Sequence, residues 1–229
     1  MLIDEQVEQT VTSETPEHEA YMTPSWVIRR LLEVWQPYGG MALEPAVGEG
    51  AIVKALHQLA PNRIWSWTTC DIRDVPAVTL NCEPGHHHGF GCNRVSVFHR
   101  QGDYLRPDDL PSLHAPMMAK TSLVITNPPF SLADQFILQS RRLCPVAELV
   151  FLLRLGFLSS KERMPLWKEV GEPDLWILPN RPSYKTSKPG RLDTDKYDYA
   201  WFIWPKGRFR ARGRIGHLAE TSLEERKRG

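Results

Sequence analysis

Apolar residues along this chain follow two spacings. Runs at 41–43, 64–70, near 95–100, and at 123–125, 149–155, 175–178 and 197–204 have the length and composition of strands. Between them, Val27, Ile28, Leu31, Leu32 and Trp35 recur at helical spacing. Thr23 is placed to cap that helix, with Pro24 at its first position, and the helix should end before Pro37 and the Gly39-Gly40 turn. A second helix is expected over 51–59, stopped by Pro61. A third should open on a capping-box variant, Ser131 to Asp134, and run to about residue 143 before Pro145.

The most informative run is 123–130, Leu-Val-Ile-Thr-Asn-Pro-Pro-Phe. Its three leading apolar residues suit a short strand buried on both faces, as in parallel sheets covered by helices. The strand must stop at Asn127. Neither proline donates to a ladder, and Pro129 pushes Pro128 away from helical backbone, so the chain leaves as a stiff extended turn. Such a turn holds the Asn127 amide, the Pro128 carbonyl and the Phe130 ring at the carboxyl end of a strand, where open α/β sheets place ligands. Two acceptors beside an aromatic face grip a planar amino group, the oxygens taking its N–H bonds while the ring stacks on the attached heterocycle.

A second motif follows the strand at 41–43: Glu44-Pro-Ala-Val-Gly-Glu-Gly50, leading into the helix at 51–59. Gly48 and Gly50 let the backbone pass close to a ligand, but the third glycine of a dinucleotide fingerprint is missing. Acids bordering the loop would repel a diphosphate and suit a ligand with a cationic end. The next strand ends in Asp71, placed to accept hydrogen bonds from ribose hydroxyls. After the third strand comes Gly102-Asp103-Tyr104, where Asp103 could bond an adenine amino group with Tyr104 beside the ring.

In order, Tyr21-x-Thr23-Pro24, Glu-Pro-x-x-Gly-x-Gly, an acid after the second strand, Gly-Asp-Tyr and Asn-Pro-Pro-Phe resemble the γ-type DNA adenine-N6 methyltransferases, motif X first and motif IV after motif I. The resemblance spans roughly 21–137 and extends more loosely to the later strands. It implies a Rossmann-like, seven-stranded, mostly parallel α/β sheet and S-adenosylmethionine as methyl donor. It would set Tyr21, Thr23 and Pro24 beside the cofactor, Glu44, Gly48 and Gly50 at its methionine end, Asp71 at its ribose, and Asp103 and Tyr104 at its adenine. Asn127, Pro128, Pro129 and Phe130 would hold a flipped target adenine in DNA. The same tetrapeptide also occurs in RNA methyltransferases and, as a close variant, in protein-glutamine methyltransferases. Cytosine-N4 methylation and an inactive nucleic-acid-binding module are further alternatives.

Composition adds boundaries. At 41% hydrophobic and 24% charged, the chain suits one globular domain, expected over 21–205. Residues 1–20 hold six acids and no Lys or Arg, which predicts a disordered leader. Residues 206–229 hold eight basic and three acidic residues, which reads as a basic tail whose Arg208, Arg210, Arg212 and Arg214 are expected on DNA phosphates. Family members of larger size carry a separate target-recognition domain, so base readout here would fall to that tail, a second subunit, or insertions near 81–94 and 180–196. The second insertion carries Arg181, Tyr184, Lys185, Lys188 and Arg191. The first has Cys82, His86, His87, His88 and Cys92, enough zinc ligands in number, but their spacing matches no standard finger, so a polar surface loop without metal is expected. No apolar run reaches the ~20 residues of a membrane span, and no secretory signal opens the chain. Four scattered cysteines give no disulfide framework. A cytoplasmic protein of a bacterial or phage-infected cell is expected. Arg154, closing an apolar strand, reads as a snorkelling or paired structural residue.

Overall fold

A computed structural model describes residues 22–61, 63–80, 95–106, 118–183, 195–206 and 213–228. They build one sheet of eight strands in the order β3-β2-β1-β4-β5-β7-β6-β8. The strands are β1 Gly40–Glu44, β2 Ile64–Asp71, β3 Ser96–Gln101, β4 Leu123–Thr126, β5 Glu148–Arg154, β6 Asp174–Ile177, β7 Tyr199–Trp204 and β8 Ile215–His217. β7 runs antiparallel to β5 and β6, and every other pair is parallel. The helices are α1 Ser25–Val34, α2 Ala51–Leu59, α3 Ala133–Leu143, α4 Met164–Val170 and α5 Leu223–Arg228.

Both faces of the sheet are covered, and the strands show it residue by residue. Ala42, Ile125, Val150 and Trp201 join one buried cluster with Val27, Ile28 and Leu31 of α1 and Ile52 and Leu56 of α2. Their neighbours Leu43, Val124, Phe151 and Phe202 join the other, with Phe136 and Ile137 of α3 and Leu166 of α4. Successive side chains of a strand point to opposite faces, so strands buried on both sides read as unbroken apolar runs.

The order of the strands reverses between β1 and β4, which lie side by side and parallel with Leu43 opposite Val124. The loop after Glu44 and the turn after Thr126 therefore leave the same sheet edge as neighbours. This is the switch point at which open α/β sheets form ligand crevices.

Three local expectations are corrected. Eight strands are present where seven were expected: 215–217, inside the supposed tail, pairs with β6. A Cβ at Gly216 would lie 2.4 Å from Trp176, so the close strand pairing needs glycine there. Arg214 is held by Asp174, whose Oδ1 accepts from its backbone N–H at 2.8 Å and whose Oδ2 accepts from its guanidinium at 2.6 and 3.0 Å. Residue 214 is thus tied into the fold, and α5 beyond it pairs through Glu225 with Arg29 and Arg30 of α1. α1 begins at Ser25 with Pro24 at the capping position and no side-chain cap, so Thr23 does not play that role. Likewise α3 opens from a short turn at Phe130–Leu132 without a side-chain cap from Ser131.

The leader, Tyr21, the loop carrying Cys82, His86, His87, His88 and Cys92, the residues Tyr184, Lys185, Lys188 and Arg191, and Arg208, Arg210 and Arg212 lie outside the described residues. Among the described residues no helix is long and apolar enough to cross a membrane.

Candidate functional site

At the end of β1 the loop is tied to the end of β2. Val47 N–H donates to Cys70 O at 2.9 Å, and Gly48 N–H donates to Asp71 Oδ2 at 2.8 Å. Gly48 and Gly50 take left-handed φ of 51° and 76°, and a Cβ at Gly50 would meet Val78 Cγ2 at 2.3 Å. Glycine is required here by conformation and by space.

Two acids sit under this loop. Glu44 is 2% exposed, and its Oε2 is buried with no hydrogen-bond partner among the described residues. Burial pushes its carboxyl well above the usual range; the Val53 N–H partly offsets this, and the Asp71 charge adds to it. Asp71 behaves in the opposite way. Burial alone would raise its carboxyl, but hydrogen bonds from the Arg73 side chain, Arg73 N–H and Gly48 N–H outweigh that and hold it below the usual range. Arg73 Nε and N–H both donate to Asp71 Oδ1, at 2.9 and 3.0 Å, and Arg73 Nη2 donates to Oδ2 at 3.1 Å.

Gly102 N–H donates to Asp71 O at 2.9 Å, which fixes the turn carrying Asp103 beside β2. Asp103 Oδ1 accepts from Leu105 N–H at 2.9 Å, and its Oδ2 lies 3.3 Å from Arg106 Nε. Tyr104 sits in the core, 2% exposed, with its hydroxyl 3.0 Å from Ser140 Oγ and its ring 5.3 Å from Phe136. Its ring anchors the turn to α3 and offers no open face beside Asp103.

After β4, Asn127 is half-buried, Pro128 is buried and Pro129 is extended at φ −52°, ψ 124°. Asn127 Nδ2 donates to Thr23 Oγ1 at 3.1 Å. That bond turns the amide nitrogen toward the start of α1 and the amide oxygen the other way. The partly exposed Phe130 ring packs at 5.5 Å and 51° against Tyr199. Over it lies a group that sequence reasoning had assigned to structure alone. The Arg154 guanidinium carbon is 4.2 Å from the Phe130 centroid and 4.0 Å from that of Tyr197. Arg154 Nε donates to Tyr199 Oη at 3.5 Å, and the Tyr199 hydroxyl in turn donates to Asp195 Oδ2.

The structure thus gathers Thr23, Pro24, Asn127, Pro128, Pro129 and Phe130 at one end of β4, and Glu44, Gly48, Gly50 and Asp71 beside them at β1 and β2, with Asp103 on the adjoining turn. Sequence reasoning did not single out Arg73, Tyr197 or Tyr199, and its reading of Arg154 as a paired structural residue is borne out by the contacts with Phe130, Tyr197 and Tyr199. An arginine closing an otherwise apolar strand was the available signal for Arg154.

No family model matches the sequence, and no curated protein matches it. Solved structures do. A modification subunit of a type I restriction enzyme from Vibrio vulnificus YJ016 is 14% identical with a TM-score of 0.54, over 91% of this chain and 49% of that one. A methyltransferase subunit of a type I restriction-modification system from Streptococcus thermophilus is 11% identical with a TM-score of 0.55, over 92% and 52%. A class I S-adenosylmethionine-dependent methyltransferase from Listeria monocytogenes is 14% identical with a TM-score of 0.54, over 90% and 69%. The chain spans about half the length of the two restriction-modification subunits it matches. Together with the sheet order, these likenesses show the fold: a Rossmann-like α/β fold of S-adenosylmethionine-dependent methyltransferases, with an eighth strand.

Proposed function

We propose that this chain is an S-adenosylmethionine-dependent methyltransferase that modifies the N6 amino group of adenine in DNA. The observation that carries the reading is the oriented Asn127 amide beside Phe130, one strand away from a glycine-bearing loop that covers two buried acids. The named roles of the type I subunits from Vibrio and Streptococcus support DNA as the substrate.

The residues fit the cofactor. Glu44 Oε2 is a buried acceptor without a partner among the described residues, and a cationic ammonium would satisfy it. Gly48 and Gly50 keep side chains out of the loop, and Asp71 offers a carboxylate held in its ionised form. Thr23 and Pro24 border the same edge, Tyr21 precedes them in sequence, and Asp103 on the adjoining turn is assigned the adenine end. When bound, the cofactor supplies an electrophilic methyl group.

The chain's own part is positioning. Asn127 Oδ1 and the Pro128 carbonyl accept the two N–H bonds of the target amino group, and this sets the nitrogen lone pair for in-line attack. Pro128 and Pro129 keep these acceptors from moving, and Phe130 stacks on the base. An adenine within duplex DNA must first be flipped out, at a cost of a few kcal/mol. The amino nitrogen would take the methyl group as its bond to the cofactor's sulfur breaks, the sulfur keeping the electron pair, and would lose a proton to solvent, so no covalent enzyme intermediate is required.

Expression in a methylation-free host with mapping of modified bases tests this. N6-methyladenine at a defined sequence, lost with Asn127→Ala, is the expected result. Label from the cofactor entering RNA or protein while DNA stays unmodified would overturn it.

A further inference from the structure

We propose that the Arg154 guanidinium is an autoinhibitory contact that competes with the acceptor base for the same face of Phe130. The inference rests on the acceptor role assigned to Phe130 and goes beyond it.

The guanidinium is flat and delocalised, and it stacks on aromatic faces much as a heterocycle does. Here it lies 4.2 Å from the Phe130 centroid, so a base stacked on that face and the arginine exclude one another. Tyr199 also packs on the ring, at 5.5 Å with a 51° tilt.

Exchange is mechanically simple. The Arg154 backbone is fixed, since the residue closes β5 opposite Tyr199 in the antiparallel pair. The side chain is the part that has to move, and the hydrogen bond it makes to Tyr199 Oη is long at 3.5 Å. It also has somewhere to stay. Tyr197, 38% exposed, already touches the same guanidinium at 4.0 Å, so the arginine can give up Phe130 while keeping its second ring. Lifting a cation off one ring and stacking one base on it are effects of the same order. The exchange is therefore near balance, and it lowers the affinity for any base that stacks on Phe130.

The test uses the full-length protein saturated with S-adenosylhomocysteine, which keeps purines out of the cofactor site. The probe is single-stranded oligothymidylate with one central 2-aminopurine, whose fluorescence is quenched by stacking. The same strand with an abasic site in that position reports backbone binding alone. Arg154→Ala should raise the affinity advantage of the 2-aminopurine strand over the abasic strand by about three- to tenfold, the scale of one cation–π interaction. Arg154→Gln, which keeps the aliphatic stem and drops the charge, should raise it in the same direction and guards against a fold defect in the alanine variant. Phe130→Ala should remove the advantage in every background. Base-dependent quenching that is present in the parent, yet unchanged or weaker in both Arg154 variants, would overturn the competition while leaving the acceptor reading intact. No base-dependent quenching in the parent or in either variant would overturn both.

Discussion

Asn127 Nδ2 donates to Thr23 Oγ1 across 104 positions of chain, joining the segment ahead of α1 to the turn after β4. The hydroxyl that local sequence assigns to capping a helix orients an amide instead. Replacing Thr23 with valine keeps the shape and removes the acceptor. Lost net hydrogen bonding of about 0.5–1.5 kcal/mol predicts a fall of roughly two- to tenfold in single-turnover methylation, and Thr23→Ser should restore the rate. Asn127→Ala removes the oriented group itself and should cost about a hundredfold or more with cofactor affinity retained. Parental rates in Asn127→Ala would reduce the Asn-Pro-Pro-Phe stretch to a rigid turn.

Asp71 and Arg73 make opposite predictions for the cofactor. Both Asp71 oxygens already accept from Arg73 and Gly48, so a ribose diol there must displace the Arg73 side chain. Asp71→Ala should weaken S-adenosylmethionine binding at least about tenfold, while Arg73→Ala should strengthen it a few-fold by removing the competitor. Titration calorimetry reads both, and unchanged affinity in Asp71→Ala would end the ribose assignment.

Glu44 predicts a proton release. Burial raises its carboxyl well above the usual range, so it is held neutral beyond the pH at which free carboxylates ionise. An ammonium group brought beside it favours the charged form, and the proton leaves. Cofactor affinity should then rise with pH until the uncomplexed Glu44 itself ionises. Calorimetry in buffers of different ionisation enthalpy should show up to about one proton released in the parent and none in Glu44→Gln. Equal release in both would remove Glu44 from the methionine end.

Glu148 predicts a pH-dependent stability term away from the site. It accepts from Trp35 Nε1 at 2.9 Å, and burial raises its carboxyl from 4.5 to about 7, with the Trp35 bond opposing and Asp174 adding to the rise. Below the lower value the group is neutral in both states and costs nothing. As pH rises toward 7 only the unfolded chain ionises, so stability falls, and above 7 the full penalty of about 3 kcal/mol applies. Glu148→Gln keeps an acceptor for Trp35 and removes the titration. It should match the parent near pH 4 and melt several degrees higher near pH 8. Parallel melting curves across that range would disprove the shift.

How much of this was legible follows from where each determinant sits. β4 and β5 were readable because burial on both faces leaves unbroken apolar runs, and the glycine loop because two left-handed backbones demand glycine. β8 was not: Ile215, Gly216 and His217 carry no apolar pattern, and their pairing depends on Gly216 fitting beside Trp176. Thr23 was misread because a partner more than a hundred residues away outcompetes the local cap. Tyr104 was placed in the right turn, but sequence does not tell which layer a ring enters, and this one enters the core beside α3. Arg154, Tyr197 and Phe130 meet only once β5 has paired with β4 and β7.

The reversed direction of β7 brings two kinds of chain to one crevice. A strand that runs against its neighbours presents its beginning where they present their ends, so Asp195, Tyr197 and Tyr199 reach the crevice from the stretch that arrives at the sheet. The glycine loop and Asp71 reach it from stretches that depart from β1 and β2. A substitution ahead of β7 therefore reaches the crevice through the chain entering the sheet and leaves the turns that follow β1, β2 and β4 in place.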